Sequence, residues 1–392
     1  MSRPSQFGRP AIALLAGVLC LAVVLAGSAG AGEKRRATAS IIGGKTAQQG
    51  DYPWMTTLIF PRSERNAFRG QFCGGSLIAP RRVLTAAHCV LGLRASQFDV
   101  LVGSYDLRRG DGQRIHIAGI SAHPKGNPSI DPRFGPPYDT FAKRFDVALL
   151  HLSRPAAAPP LPIAGPGQRR LWDAGSPVRV IGHGWTNNRG ARPNRLRQVD
   201  LRIVSDSRCN RMNEGIFQAR SMVCAAARGK DSCAGDSGGP LIARDAAGAW
   251  FEVGTVSFGA ICADPDNPGV YGRVAEMRGF LLDPRPVRQP EVRGTPRVIG
   301  KPRVGNRLRC GSAKWSGKGL RFRYIWGVRT PDPFLPPGAP PIFVPVTRGE
   351  REQPFFRPRR LERGTSLACM QVGETDGGVM TARSPYVGPV RR

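Results

Sequence analysis

The chain has 392 residues, 41% of them hydrophobic, enough for two or three domains with cores of their own. Its 58 Lys and Arg outnumber 28 Asp and Glu, for a net charge of +30. With a single long apolar run and no CxxC pair, the chain excludes a multi-span membrane protein and a cysteine-rich metal module. The charge itself has two readings. One is attraction to polyanions or an anionic surface. The other is the arginine preference of a composition that holds 50 Arg and 8 Lys.

Residues 1–31 read as a secretory signal. Arg3 and Arg9 precede the apolar run 11–27, and Ala29-Gly30-Ala31 fits a cleavage site. An uncleaved anchor helix is the alternative, although the run is short of the roughly 20 residues that a span needs. Residues 32–40, "GEKRRATAS", read as a propeptide. From Ile41 to Asp283 many short β-type runs alternate with turns, among them "RRVLTAAH", "FDVLVGSY", "VALLHL", "PVRVIGH" and "FEVGTVSF". Helical periodicity is confined to about 275–283. An all-β class is expected, a barrel or sandwich. Residues 284–295 are rich in Pro and Arg and read as a linker into a further module over 296–392. That module carries 22 basic and 7 acidic residues when counted from 285.

Nine cysteines become eight if Cys20 leaves with the signal, an even number suited to disulfides in an exported chain. Spacing alone leaves the pairing of the first six open.

The stretch "GKDSCAGDSGGP", 229–240, sets Ser237 among glycines. A serine hydroxyl is a poor nucleophile until a base takes its proton, and the usual base is a histidine held in one tautomer by a carboxylate. His88, in "LTAAHC", has such a setting, beside a cysteine that can pin its backbone. His116, His123, His151 and His183 read as surface or structural. Asp146, in "FDVALLHL", opens an apolar run, so its carboxylate is expected to be part-buried and in need of a partner.

The order His88, Asp146, Ser237, with "IIGG" at 41–44, "DVALL" at 146–150, "GDSGGP" at 235–240, and the looser "VSFG" and "NPGVYGRV", resembles the trypsin/chymotrypsin family of serine proteases across some 240 residues. The resemblance implies a chymotrypsin-like double β-barrel with the active site between the barrels. Ser237 would attack the scissile carbonyl, His88 would shuttle the proton, and Asp146 would orient His88 with help from Ser257. The N–H groups of Gly235 and Ser237 would form the oxyanion hole, where a side chain at 235 would obstruct the substrate. Asp231 would lie at the base of the primary pocket and favour Arg or Lys, between walls at Gly259 and Gly269. The resemblance also implies disulfides Cys73–Cys89, Cys209–Cys224 and Cys233–Cys262, and a new N-terminus at Ile41 whose ammonium pairs with Asp236. It calls for no cofactor or metal.

Several positions depart from the family. Ser40, not a basic residue, precedes Ile41, so a different protease cutting after Ser40, or trimming near Arg36, is expected to activate the chain. Ser104 stands where many relatives begin a calcium loop with an acid, so no calcium is expected there. Phe258 replaces a Trp, and "GHGW" at 182–185 places His183 at an unusual position. The stretch 124–145 is longer than in trypsin itself and is expected to narrow substrate choice. In the C-terminal module Cys310, Trp326 and Cys369 have the spacing of an immunoglobulin-like sandwich, with Leu367 in place of a tyrosine corner. The module reads either as an anchor to an anionic surface or as a spacer. The expected activity is a secreted or cell-surface-associated endopeptidase acting on polypeptides after Arg or Lys. The competing reading is a catalytically silent homologue that binds a surface.

Overall fold

The computed structural model describes residues 41–392 except 61–65, 91–92, 126–144, 188, 214–215, 260, 265, 284, 331–341 and 348–351. The expected signal (1–31), the propeptide (32–40) and most of the long stretch 124–145 lie outside the described residues.

Two closed rings of antiparallel strands carry the N-terminal two thirds. After a two-residue strand β1 (Lys45–Thr46), the first barrel uses β2 (Met55–Ile59), β3 (Gln71–Ala79), β4 (Arg82–Thr85), β5 (Asp99–Val102), β6 (Gln113–Ala122) and β7 (Ala148–Leu152). They close in the order β2-β3-β4-β7-β6-β5. The second uses β8 (Pro177–Gly182), β9 (Arg197–Val204), β10 (Met222–Ala226), β11 (Pro240–Arg244), β12 (Trp250–Phe258) and β13 (Gly269–Arg273), in the order β9-β10-β13-β12-β11-β8, closed by β8–β9. β1 adds to the edge of β9.

Alternation with period two fills each barrel. Val100 and Val102, Ile115 and Ile117, and Ala148, Leu150 and Leu152 point into the first core. Val178 and Val180, Val199, Leu201 and Ile203, and Val223 and Ala225 fill the second. The run that enters β7 is apolar on both faces for a reason. Val147 and Leu149 pack outward against Val274, Met277 and Leu281, which belong to the turn and short helix expected near 275–283. Between the barrels, Ser76 on β3 donates a hydrogen bond to the fully buried Glu252 on β12. Burial pushes that carboxyl up to about 8, so it stands protonated at neutral pH.

The C-terminal module contains β14 (Glu291–Arg293), β15 (Arg297–Ile299), β16 (Leu308–Gly311), β17 (Lys314–Ser316), β18 (Arg321–Thr330), β19 (Ile342–Pro345), β20 (Phe355–Phe356), β21 (Leu367–Thr375) and β22 (Gly378–Arg383). They form sheets β14-β17, β15-β16-β20 and β19-β18-β21-β22. A disulfide from Cys310 to Cys369 joins the last two, beside Trp326, which is fully buried and stacked on Phe356 at 5.4 Å.

The segment 284–295, read as a linker, is not a bare tether. β14 lies inside it, and the residues before β14 bind the first barrel. Gln289 donates its backbone N–H to Ile120 O (2.9 Å) and its side-chain amide to Leu93 O (2.9 Å). Ala122, the last residue of β6, donates to Gly377 O (2.6 Å) in the turn between β21 and β22. Proline and arginine content carried no trace of these long-range partners.

Candidate active site

Ser237 lies on a turn between β10 and β11. Gly235 (φ +94°) and Gly238 (φ +80°) hold conformations that residues with a Cβ resist. Gly238 also has no room: a Cβ there would lie 2.2 Å from Thr85 Oγ1 and 2.5 Å from Gly74 O. Gly74 N–H, from the first barrel, donates to Ser237 O at 2.7 Å. This bond seats the turn against the strand pair that leads to His88.

His88 sits in a one-turn helix, Ala87–Val90, after β4. The Cys73–Cys89 disulfide ties that turn to β3. Asp146 immediately precedes β7 and is 4% exposed. It accepts the His88 backbone N–H on Oδ1 (2.9 Å), and faces His88 Nδ1 with Oδ2 (2.7 Å). Ser257 Oγ donates to the same Oδ2 at 2.5 Å. Burial pulls His88 down, but the charge of Asp146 and its hydrogen bond outweigh this and leave the imidazole above its ordinary value. Burial acts against the Asp146 carboxylate, yet His88, the Ser257 hydroxyl and the His88 backbone N–H together hold it below its ordinary value. The structure therefore joins His88, Asp146 and Ser257 directly. Ser237 is held beside them through its carbonyl, which accepts from Gly74 N–H and faces Cys89 Sγ, next in the chain to His88, at 3.6 Å; among the described residues its hydroxyl makes no hydrogen bond.

Around the turn, the backbone N–H groups of Gly235 and Ser237 make no hydrogen bond among the described residues. The carbonyl of Gly235 accepts from Gln71 Nε2 at 2.7 Å. Arg192 donates to both the backbone and side-chain oxygens of Gln71 and lies over the Phe68 ring at 5.5 Å. A guanidinium only donates. It therefore fixes which end of the Gln71 amide faces Gly235. The sequence reading missed Gln71 and Arg192. Gln71 stands two residues before Cys73, but no spacing signal connects it with position 192 or 235.

Asp231 is 5% exposed, with Oδ2 accepting from Ala263 N–H (3.0 Å) and Oδ1 from Ser232 Oγ (3.4 Å). Burial raises it to about 6, which the two backbone and one hydroxyl donors do not offset. Among the described residues it has no ion-pair partner. Gly269 is close above it, where a Cβ would come 2.9 Å from Asp231 Oδ1, and a Cβ on Gly259 would point at Gly269 at 3.9 Å. The Cys233–Cys262 disulfide closes the same region, and Cys209–Cys224 ties the helix Asp206–Met212 to β10.

Asp236 is fully buried beneath the 182–184 segment and accepts from Gly184 N–H (2.7 Å) and Cys233 N–H (2.9 Å). Burial, and secondarily the nearby Asp231, raise it to about 7. Ile41 is fully buried in the second core with φ +39°, and Ile42 O accepts from Asp231 N–H at 3.1 Å. At Ser104, the hydroxyl and the N–H groups of Tyr105 and Asp106 all bind Asp111, so the loop is closed from within. His183 is buried between Thr57 Oγ1 and Tyr105 O, each at 3.4 Å, and burial pulls it down to about 4. Cys73, His88 and Cys89 converge, but both sulfurs are spent in their disulfide.

The two closed barrels define a chymotrypsin-like fold, and the comparisons agree. Residues 41–281 match the family described as Trypsin. A trypsin of Saccharopolyspora erythraea is 31% identical over 249 residues, covering 62% of this chain and 97% of that protein. Trypsin zeta of Drosophila erecta is 34% identical over 257 residues, covering 62% of this chain and 84% of its own. Transmembrane protease serine 9 of Rattus norvegicus is 34% identical over 247 residues, which cover 62% of this chain and 21% of that one. The chain belongs to the trypsin family and is a serine protease.

Proposed function

We propose that the protein is an exported endopeptidase that hydrolyses polypeptides after Arg or Lys through an acyl-enzyme intermediate. His88 Nε2 takes the proton of Ser237 as Oγ attacks the scissile carbonyl. Asp146, braced by Ser257, stabilises the imidazolium. The free N–H groups of Gly235 and Ser237 receive the oxyanion. His88 returns the proton to the leaving amine, and water then enters by the same route in reverse to free the acid. The specificity rests on one observation: Asp231 is a buried carboxylate with no ion-pair partner among the described residues, beside Gly269, where any side chain would crowd it. A guanidinium or ammonium relieves that charge, and an apolar side chain leaves it dry.

Activation follows from Ile41 and Asp236. In the uncut chain the nitrogen of Ile41 is an amide, and a buried branched residue holds a left-handed φ that normally costs about 1–3 kcal/mol. Cleavage after Ser40, or trimming from near Arg36, turns that nitrogen into a cation for buried Asp236, which has no ion-pair partner among the described residues. Export agrees with the leading apolar run and four disulfides, and no helix among the described residues is long and apolar enough to span a membrane. The exposed Arg297, Arg303, Arg307, Arg309 and Arg357 of the C-terminal module suit an anionic surface, and binding of this kind weakens with salt.

The test is turnover of a chromogenic arginine amide by the chain with a free Ile41 terminus. Ser237→Ala is expected to lower kcat on the order of 10⁶-fold. A processed chain without turnover, or a Ser237→Ala variant as fast as its parent, overturns the proposal and favours a surface-binding homologue.

A further inference from the structure

Asp146 stands at the end of a path that starts in the C-terminal module. Phe145, the residue before it, holds φ +54°, and its carbonyl accepts from Val147 N–H at 2.7 Å, so the backbone turns sharply just where the acid is presented. A non-glycine residue keeps such a conformation only where its surroundings fix it, at about 1–3 kcal/mol. Phe145 packs against the Val147, Leu149 and Met277 cluster, Lys125 Nζ lies over its ring at 5.8 Å, and that ring is also stacked. The His123 ring lies parallel to it, centroids 4.5 Å apart and planes 7° from parallel, and Phe280 meets His123 edge-on at 5.0 Å. His123 N–H also donates to Val147 O at 3.0 Å.

His123 directly follows Ala122, and Ala122 is where the module takes hold. Its N–H donates to Gly377 O at 2.6 Å. Thr375 Oγ1 donates to Arg288 O (2.9 Å), and accepts from Gly377 N–H (3.2 Å), which fixes the turn on the segment that itself binds Ile120. The fit leaves no slack. A Cβ on Gly377 would lie 2.0 Å from Val287 O and 2.4 Å from Arg288 C, both backbone atoms. One on Gly378 would lie 3.0 Å from Ala122 Cβ.

We infer that the turn Asp376–Gly377 is a positioning element for the catalytic acid, acting through Ala122, His123 and Phe145. The module is thereby part of the catalytic body. This rests on the reading of Asp146 as the acid of the proposed triad. Held by the module, β6 keeps the His123 ring under Phe145, and Phe145 keeps the Asp146 carboxylate on His88. Released, the end of β6 loses its outer partner, and the stack that stabilises the left-handed residue loosens.

The decisive variant is Gly377→Ala in the full-length, processed protein. Gly377 does not hold a left-handed φ, so alanine is costly only through its contact with the 287–288 backbone. Thr375→Val, of equal size, removes the hydroxyl alone. Rates are taken per active site titrated with a serine-directed acylating agent, so that misfolded molecules are not counted. Gly377→Ala is expected to lower kcat by about 10²-fold, the effect of a shift of roughly 1 Å in a catalytic group. KM should stay within about twofold, because Asp231 and its slot belong to the other barrel. Thr375→Val should act in the same direction and less. Amide exchange at Ala122 and His123 should speed up in both. A Gly377→Ala enzyme with the parental kcat, or one whose loss lies in KM, overturns the inference. Asp146→Asn, run alongside, separates the two readings. If it is inactive while Gly377→Ala is normal, only the positioning role falls, and if it is fully active the triad assignment falls with it.

Discussion

Replacing Asp231 with asparagine should make the protein more stable and nearly useless as a protease of arginine substrates. Asparagine keeps the acceptor for Ala263 N–H and the shape of the floor, and removes the charge together with the second acceptor, so that the Ser232 hydroxyl must turn to accept instead. In the folded chain burial raises the Asp231 carboxyl from 3.8 to about 6. Two units at about 1.4 kcal/mol each correspond to about 3 kcal/mol. The sign follows from proton counting. Below pH 4 both folded and unfolded chains hold the proton, and there is no penalty. Between about 4 and 6 the unfolded chain releases it and the folded chain does not, so stability falls as pH rises. Above about 6 the full penalty persists. The assay is denaturant unfolding from pH 4 to 8 in a Ser237→Ala background, which prevents self-digestion. Relative to its parent, Asp231→Asn should gain nothing at pH 4 and about 3 kcal/mol at pH 8. Because Asp231 also pushes Asp236 up, the same substitution eases both acids. Benzamidine, a guanidinium-like cation, should stabilise the parent and not the variant. With Ser237 restored, the variant should lose the proposed arginine cleavage by about 10⁴-fold. A stability difference that stays constant from pH 4 to 8 would refute the reasoning, since it would mean that water already solvates this carboxylate.

Two further outcomes follow from the site. The rate kcat/KM should rise with pH as His88 loses its proton, with a midpoint above the ordinary 6.5 because Asp146 raises the imidazole, and Asp146→Asn should move that limb to lower pH. Gln71→Leu removes the side chain that holds the Gly235 carbonyl, and should lower kcat with little change in KM. The loss should fall short of the 10²–10³-fold expected for deleting an oxyanion donor outright, and an unchanged kcat would show that the turn holds itself.

What could be read from the sequence was what chemistry confines to short stretches. Ser237 between glycines, His88 beside a cysteine and Asp146 at the head of an apolar run each carry their context within about six residues, and the resemblance to the trypsin family implied their roles. The period-two apolar runs gave the all-β class. Partners that are local only in space were not legible. Gln71 and Arg192 are ordinary polar residues in sequence, and they matter because the start of β3 and the loop between β8 and β9 meet over Gly235. Gly377 looks like any hairpin glycine until the 287–288 backbone is found against it. The proline- and arginine-rich stretch 284–295 resembled a tether because composition reports flexibility of a free chain, not the carbonyls of Leu93 and Ile120 that capture Gln289.

The seam between Gln289, Gly377 and the end of β6 also fixes a direction. A domain on a loose leash would let the cleft tumble over whatever the leash was fastened to. Here the module that bears the arginines of β15, β16 and their neighbouring turns is hydrogen-bonded to the barrel that carries His88. If the proposed surface binding holds, the seam limits how far the barrels can swing above that surface, so the reach of the protease is set by these contacts and not by the length of a linker.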